Sequence, residues 1–319
     1  MLISSNIFIT TCNSILIMLL ILKNKFHKIS IIFLAINLLA FSPQPDFESL
    51  SQLAERGDAA AQGKLGQLYE EGKVVPQNYK KAIEWYSKSA EQGNAGAQNN
   101  LGAMYVLGLG VDQNYKKAIE WYSKAAEQGE IKAQLNLGAY YSIRDGRVPD
   151  YKKAFEWFSK AAAQDNAEAK NYLGILYEDG YGVPQDYKKA FEWYSKAAAQ
   201  NYTDAQNNLA TLYAKGKGVE PSNKKAFELY SKAAEQGNVE AQKNLASFYA
   251  LGQGINQDYK KALEWYSKAA QQEDGEAQFT IGMLYYRGEG VPKNNELAEK
   301  WLRKAAENGY RDALSVFEK

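Results

Sequence analysis

The chain has 319 residues, 45% of them apolar and 24% charged, a composition that supports a buried core and excludes wholesale disorder. Lysine and arginine number 38 against 37 aspartate and glutamate, and the net charge of +1 removes the electrostatic case for binding nucleic acid. The single His is His27 and the single Cys is Cys12, so the chain from Phe47 onward has no disulfide, no His or Cys metal ligand, no Cys nucleophile and no His-based triad.

Residues 1–45 read as a targeting segment with a short spacer. Lys23, Lys25, His27 and Lys28 form a basic cluster, followed by a stretch from Ile29 to Phe41 interrupted only by Ser30 and Asn37. Thirteen helical residues reach roughly 20 Å, short of a hydrocarbon layer of roughly 30 Å, which favours a signal peptide over a spanning helix. Ala40-Phe41-Ser42 offers small residues for cleavage, and Pro43-Gln44-Pro45 forms the spacer. The expectation is an exported protein, periplasmic or secreted. A start at Met1 instead of Met18 adds the apolar run Ile15 to Leu22 and leaves open an anchor formed by residues 1–41, the one route to a membrane.

After the spacer, residues 46–319 repeat every 36 residues, in rows that start at Gly57, Gly93, Gly129, Asp165, Asn201, Gly237 and Glu273. All six Trp share one column, Trp85, Trp121, Trp157, Trp193, Trp265 and Trp301, with Leu229 in the fifth row. A second column is Tyr throughout, from Tyr69 to Tyr285. A partial eighth row begins at Gly309, and Leu50 to Arg56 matches the end of a row before the first.

Each row predicts two helices. The first, such as Ala95 to Leu107, places Ala97, Leu101, Met104 and Tyr105 on one stripe. A Gly-x-Gly-Val turn such as Gly108-Leu109-Gly110-Val111 closes it, because glycine accepts the positive φ of a helix end. The second helix opens behind Asn78, Asn114, Asp150, Asp186, Ser222, Asp258 or Asn294, all good N-caps. Its other face carries Glu-to-Lys pairs four apart, Glu84/Lys88 through Glu264/Lys268, expected as solvated ion pairs. One row buries too little apolar surface to offset the ordering of its backbone, so neighbouring rows must stack.

These residues carry a resemblance. Ala97-Gln98-Asn99-Asn100-Leu101-Gly102-x-Met104-Tyr105, Gly108-x-Gly110-Val111 and Tyr115-Lys116-Lys117-Ala118-x-x-Trp121-Tyr122-x-Lys124-Ala125-Ala126-Glu127-Gln128-Gly129 resemble the Sel1-like repeat, a relative of the tetratricopeptide repeat, over about Leu50 to Lys319. The resemblance implies an all-α fold, a right-handed α-α solenoid of antiparallel helix pairs, and a scaffold or adaptor function in bacterial envelopes or host interaction. A cysteine-rich branch of the family is described as binding or hydrolysing β-lactams, and this chain departs from it because no row contains a Cys.

In such solenoids the first helix of each pair lines the concave side, so its open positions are the candidate contacts for a protein or peptide. The eighth position of each row reads Lys64, Asn100, Asn136, Tyr172, Asn208, Asn244 and Thr280, an amide column able to donate to and accept from an extended backbone. The same amides could instead bond adjacent rows and fix the superhelix. Asn99, Asn171 and Asn207, one position earlier, vary more from row to row and read as specificity positions with less of a scaffold role. In the seventh row Phe279, Met283 and Tyr286 form an apolar stripe that could anchor a partner or be covered by the eighth row. The third row replaces its turn with Arg144-Asp145-Gly146-Arg147, either a charged contact or a neutral variation. The reading is a monomeric or weakly associating scaffold that binds protein or peptide, with no catalytic residue, cofactor or metal.

Overall fold

The structure, a computed structural model, describes residues 47–142, 148–310 and 313. The N-terminal segment, the turn at Arg144 to Arg147 and most of the eighth row lie outside the described residues. Within them are fifteen helices and no strand: α1 (Phe47–Glu55), α2 (Ala59–Glu71), α3 (Tyr79–Glu91), α4 (Ala95–Leu107), α5 (Tyr115–Glu127), α6 (Ile131–Ser142), α7 (Tyr151–Ala163), α8 (Ala167–Asp179), α9 (Tyr187–Ala198), α10 (Thr203–Lys215), α11 (Asn223–Glu235), α12 (Val239–Leu251), α13 (Tyr259–Gln271), α14 (Gly275–Arg287) and α15 (Asn295–Glu307). From α2 onward, even-numbered helices open a row and odd-numbered helices complete it. Each packs chiefly on the helices before and after it in the chain, giving an α-α solenoid.

The ends of these helices are written into the sequence. Asn114 accepts a hydrogen bond from the Lys117 amide at 3.0 Å and so caps α5, and the same Asx or Ser cap opens α3, α7, α9, α11, α13 and α15. Gly108 ends α4 in the left-handed region at φ 68°. Gly110, at φ 74°, also sets the approach of two rows, because a Cβ there would sit 2.6 Å from the carbonyl carbon of Tyr79, at the start of the previous row's second helix. Turn closure and row stacking therefore meet at one glycine.

The core is a chain of small clusters, each shared between the second helix of one row and the first helix of the next. Ala82, Tyr86 and Ala90 of α3 pack with Ala97, Leu101 and Met104 of α4, and Trp121 of α5 covers them from the following helix. The Trp column is thus a set of lids between rows. Within a row, small residues on the first helix let the large residue of the second come close. A Cβ on Gly102 would lie 2.7 Å from the Tyr122 ring, and Gly66 stands in the same relation to Tyr86.

A buried carboxamide locks five of the junctions, and in the fifth row Gln206 donates to Asn201 of its own row instead. Gln98 donates to the Ala90 carbonyl of the previous row at 3.0 Å and accepts from Gln128 of its own row at 2.7 Å. Gln62, Gln134, Gln242 and Gln278 repeat both bonds, the last with Asn308 as its donor. In the fourth row Lys170 takes this place, and its buried ammonium pairs with Asp165.

One expectation is corrected. None of the Glu-to-Lys pairs from Glu84/Lys88 to Glu264/Lys268 forms an ion pair among the described residues. Five of those lysines, with Lys304 in the seventh row, lie over the Trp three residues earlier, as Lys124 does over Trp121 at 4.2 Å and Lys268 over Trp265 at 3.6 Å. An exposed ion pair gains little in water, whereas an indole face attracts the ammonium and shelters its methylene stem.

Three rows begin with a side chain in the left-handed region, Asp165, Asn201 and Glu273 at φ 64–65°, where the others have glycine. Asp165 and Asn201 make hydrogen bonds there. Glu273→Gly is therefore expected to stabilise the protein by about 1 kcal/mol and to raise the thermal midpoint followed by circular dichroism. Gly110→Ala is expected to destabilise the protein by about 1–3 kcal/mol and to lower that midpoint, since the added methyl must push neighbouring rows apart.

Candidate functional site

The first helices present one open line to solvent. In α4 it runs through Gly96, Asn100, Ala103 and Leu107, in α10 through Asp204, Asn208, Thr211 and Lys215, and in α12 through Glu240, Asn244, Ser247 and Leu251. The spacing of four, three and four residues keeps these positions on one side of the helix, while Leu101, Leu209 and Leu245 point into the core. Asn100, Asn136, Tyr172, Asn208 and Asn244 all sit on this line and are half-buried.

The amides of this line bond between rows. Asn136 donates to the carbonyl oxygen of the Asn99 side chain at 3.0 Å, Asn208 to that of Asn171 at 3.0 Å, and Asn244 to that of Asn207 at 2.9 Å. Asn99 and Asn171 are themselves buried. The expectation that the seventh-position residues have less of a scaffold role is thereby corrected: they are the acceptors of the inter-row ladder, because that position faces the next row. Each donor amide commits one N–H to the ladder. The second N–H and the carbonyl oxygen of Asn136 and Asn244 stay available, held in a fixed orientation.

The ladder breaks once between Asn99 and Asn244, and it does not extend to the outer junctions, where Gly63 stands opposite Asn100 and Lys243 opposite Thr280. Leu135 and Tyr172 occupy the paired positions between the third and fourth rows, Leu135 packs on the cluster that contains Phe158, and Tyr172 stacks on Phe158 at 4.5 Å. An apolar contact thus replaces the amide pair. In the seventh row, Phe279 stacks on Tyr310 at 4.6 Å and, with Met283, packs on Leu302, Ala305 and Ala313. Tyr286 lies under the Lys293 ammonium at 5.4 Å. The apolar stripe is half-covered by the residues that follow it, as the covering alternative expects.

A feature not anticipated from the sequence begins the open line. The second residue of the first helix is acidic in four consecutive rows, Glu168, Asp204, Glu240 and Glu276. Burial, with Asp204 nearby, pushes the Glu168 carboxyl above its ordinary range. Lys243 bridges Glu240 at 2.9 Å, Asp274 at 3.3 Å and Glu276 at 2.7 Å. Burial opposes the charge on Lys243, but these three carboxylates outweigh it and hold the ammonium protonated. Helix N-termini favour such carboxylates, which gives the column a structural reason. Among the described residues no group of three or more His, Cys, Asp or Glu side chains could hold a metal ion.

The comparisons with known proteins bear on this geometry. A family model for the Sel1 repeat matches seven times without a gap, at residues 59–94, 95–130, 131–166, 167–202, 203–238, 239–274 and 275–310. The chain belongs to the Sel1 repeat family. Its repeat boundaries fall two residues after the row starts read from the sequence, where the first helices begin. Among solved structures, the Sel1 repeat protein of Oxalobacter formigenes is 34% identical, with a TM-score of 0.72 over 85% of this chain and 79% of that one. The protein c5321, a protective antigen of uropathogenic Escherichia coli with an SLR fold, is 38% identical, with a TM-score of 0.73 over 84% of this chain and 57% of that one. This chain therefore spans little more than half the length of c5321. Yeast Tom70, 14% identical with a TM-score of 0.51, shares the fold. No curated protein matches the chain in sequence. Sel1 repeats generally mediate protein–protein interaction, and the family is generally non-enzymatic.

The tyrosines of the second helices titrate with the fold. Burial pushes the Tyr122 hydroxyl up to about 12. Burial also raises Tyr86 and Tyr194, whose hydroxyls donate to Glu70 at 2.6 Å and Glu178 at 2.9 Å. A pKa raised in the folded state leaves stability intact below the unfolded value of about 10 and removes it as pH rises further. In an alkaline titration, tyrosinate absorbance from these residues is expected to appear together with loss of helical circular dichroism. A native helical spectrum with all tyrosines ionised would contradict the buried register.

Proposed function

We propose that the protein is an exported Sel1 repeat scaffold that binds an extended segment of a partner protein along its first-helix face and catalyses no reaction. The observation that supports this reading is the amide line. Asn136 and Asn244 are oriented by one inter-row bond each and keep a donor and an acceptor, as a peptide backbone requires. The face varies between rows, from half-buried Ala103 and Ala139 to Ile175, Thr211 and Ser247, which allows one sequence to be chosen over another.

Export rests on the basic cluster and apolar stretch of residues 23–41. No helix among the described residues is long and apolar enough to cross a membrane. The β-lactam chemistry of the cysteine-rich branch forms no part of this reading, because no row has a Cys.

A photo-crosslinking residue placed at Ala103 or Thr211 is expected to capture a partner protein in cells, and the same residue at Glu120 on the second-helix face is not. Replacing Asn100, Asn136, Asn208 and Asn244 together by Ala should weaken that capture about tenfold with helical content retained. Capture at Glu120 alone would overturn the face assignment. N-terminal sequencing of the native protein is expected to begin near Pro43, and a cytoplasmic chain that keeps residues 1–45 would overturn export.

A further inference from the structure

The tyrosines that fill the seams of the solenoid carry hydroxyls toward the first-helix face, and the chain itself supplies partners for most of them. The column reads Tyr86, Tyr122, Phe158, Tyr194, Tyr230, Tyr266 and Leu302. Tyr86 and Tyr194 donate to Glu70 at 2.6 Å and Glu178 at 2.9 Å, which hold the fourteenth position of their rows. Tyr230 meets Thr211 at 2.9 Å, at the eleventh position, and Ser247 holds that place for Tyr266.

Tyr122 is the exception. The eleventh and fourteenth positions of its row are Ala103 and Val106, whose side chains offer no acceptor. Both pack on the cluster that contains Tyr122, so the ring is seated as in the other rows. The residue is only 6% exposed, and its hydroxyl has no hydrogen bond among the described residues. No fully buried side-chain oxygen among those residues lacks a partner, so the Tyr122 oxygen reaches solvent. Packing alone does not call for it, since Phe158 fills the next seam with a ring and no hydroxyl.

A second donor belongs to the same place. Asn100 lies within hydrogen-bonding reach of the Tyr86 hydroxyl, and the period gives Asn136 the corresponding position for Tyr122. Asn136 commits one N–H to Asn99 at 3.0 Å and keeps the other. Ala103 and Ala139 are the smallest side chains at the eleventh position of any row, which leaves the approach open.

Charge sets this part of the face apart from the rest. α4 and α6 contain no Asp or Glu, whereas α2, α8, α10, α12 and α14 each contain at least one. Asp112 and Glu130 stand in the turns outside α4 and α6. A carboxylate arriving along the later rows meets Glu168, Asp204, Glu240 and Glu276, and on α4 and α6 it meets no like charge.

We propose that Tyr122 and Asn136 form a subsite for an acidic side chain, Asp or Glu, of the segment bound along the first-helix face. The proposal rests on the reading of that face as a peptide-binding surface and fixes the register of the bound segment. From outside, the partner's carboxylate takes the place that Glu70 and Glu178 hold in their own rows, and it accepts from the Tyr122 hydroxyl and the second N–H of Asn136.

The test selects binders to the full-length chain from a displayed library of random segments about 12 residues long, then measures single synthetic peptides by fluorescence anisotropy. Selected segments are expected to share one position restricted to Asp or Glu. Changing that residue to its amide, or Tyr122→Phe in the protein, should each weaken binding about tenfold, and the two together should weaken it little further. Tyr194→Phe, whose hydroxyl Glu178 already occupies, should change binding less than about twofold. Val106→Glu brings the acceptor of the first row into the second, and should weaken the acidic peptide about tenfold while leaving its amide variant unchanged. A library that yields no segment sensitive to Asn208→Ala and Asn244→Ala overturns the reading of the face itself. Segments with that sensitivity but no shared acid, or with an acid whose loss adds fully to that of Tyr122→Phe, overturn the subsite alone. Binding lost on amidating the peptide's C-terminus, and kept when the acid becomes its amide, would overturn the choice of a side chain.

Discussion

The structure depends on the seam between the second helix of one row and the first helix of the next. Tyr86 and its counterparts bury their rings there against alanines and leucines that neither helix could cover alone. A 36-residue unit has only two helices, and each has an apolar stripe on more than one side, so a neighbour on either side is a condition of folding. Stacking follows from this, and so does the order of the chain in space, since every helix lies beside its sequence neighbours.

Apolar seams alone would permit sliding, and the polar ladders remove that freedom. The Gln98 carboxamide reaches the Ala90 carbonyl of one row and the Gln128 side chain of its own, so a change of register would strand buried polar groups. The Asn99 to Asn136 bond does similar work nearer the surface. Lys170 shows that the fold tolerates a change of chemistry at this place provided a partner is supplied, here the carboxylate of Asp165.

The proposed contact surface follows from the same period. A column that repeats every row becomes a line in space, and whatever its side chains can do is displayed at regular intervals. On the first-helix face the line carries amides and small residues and suits a backbone. The lysines over Trp and Tyr rings are the counterexample, since the aromatic faces beneath them already explain their presence.

Much of the fold was legible because repetition amplifies weak signals. The N-caps, the closing glycines and the apolar columns are local rules, satisfied within a helix or a turn, and seven copies in phase made them plain. Which amides bond to which was not legible, because Asn99 and Asn136 meet only after two rows have stacked, 37 residues apart in the chain. The Glu84/Lys88 pairing failed for a related reason: sequence spacing showed two charges within reach of each other but gave no weight to the Trp85 face that competes for the ammonium. By itself the sequence determined where each helix starts and stops and that the rows must stack. Tertiary structure decided which polar side chains are consumed at the seams and which remain free to meet a partner, since that division is set by distances between rows that no single row contains.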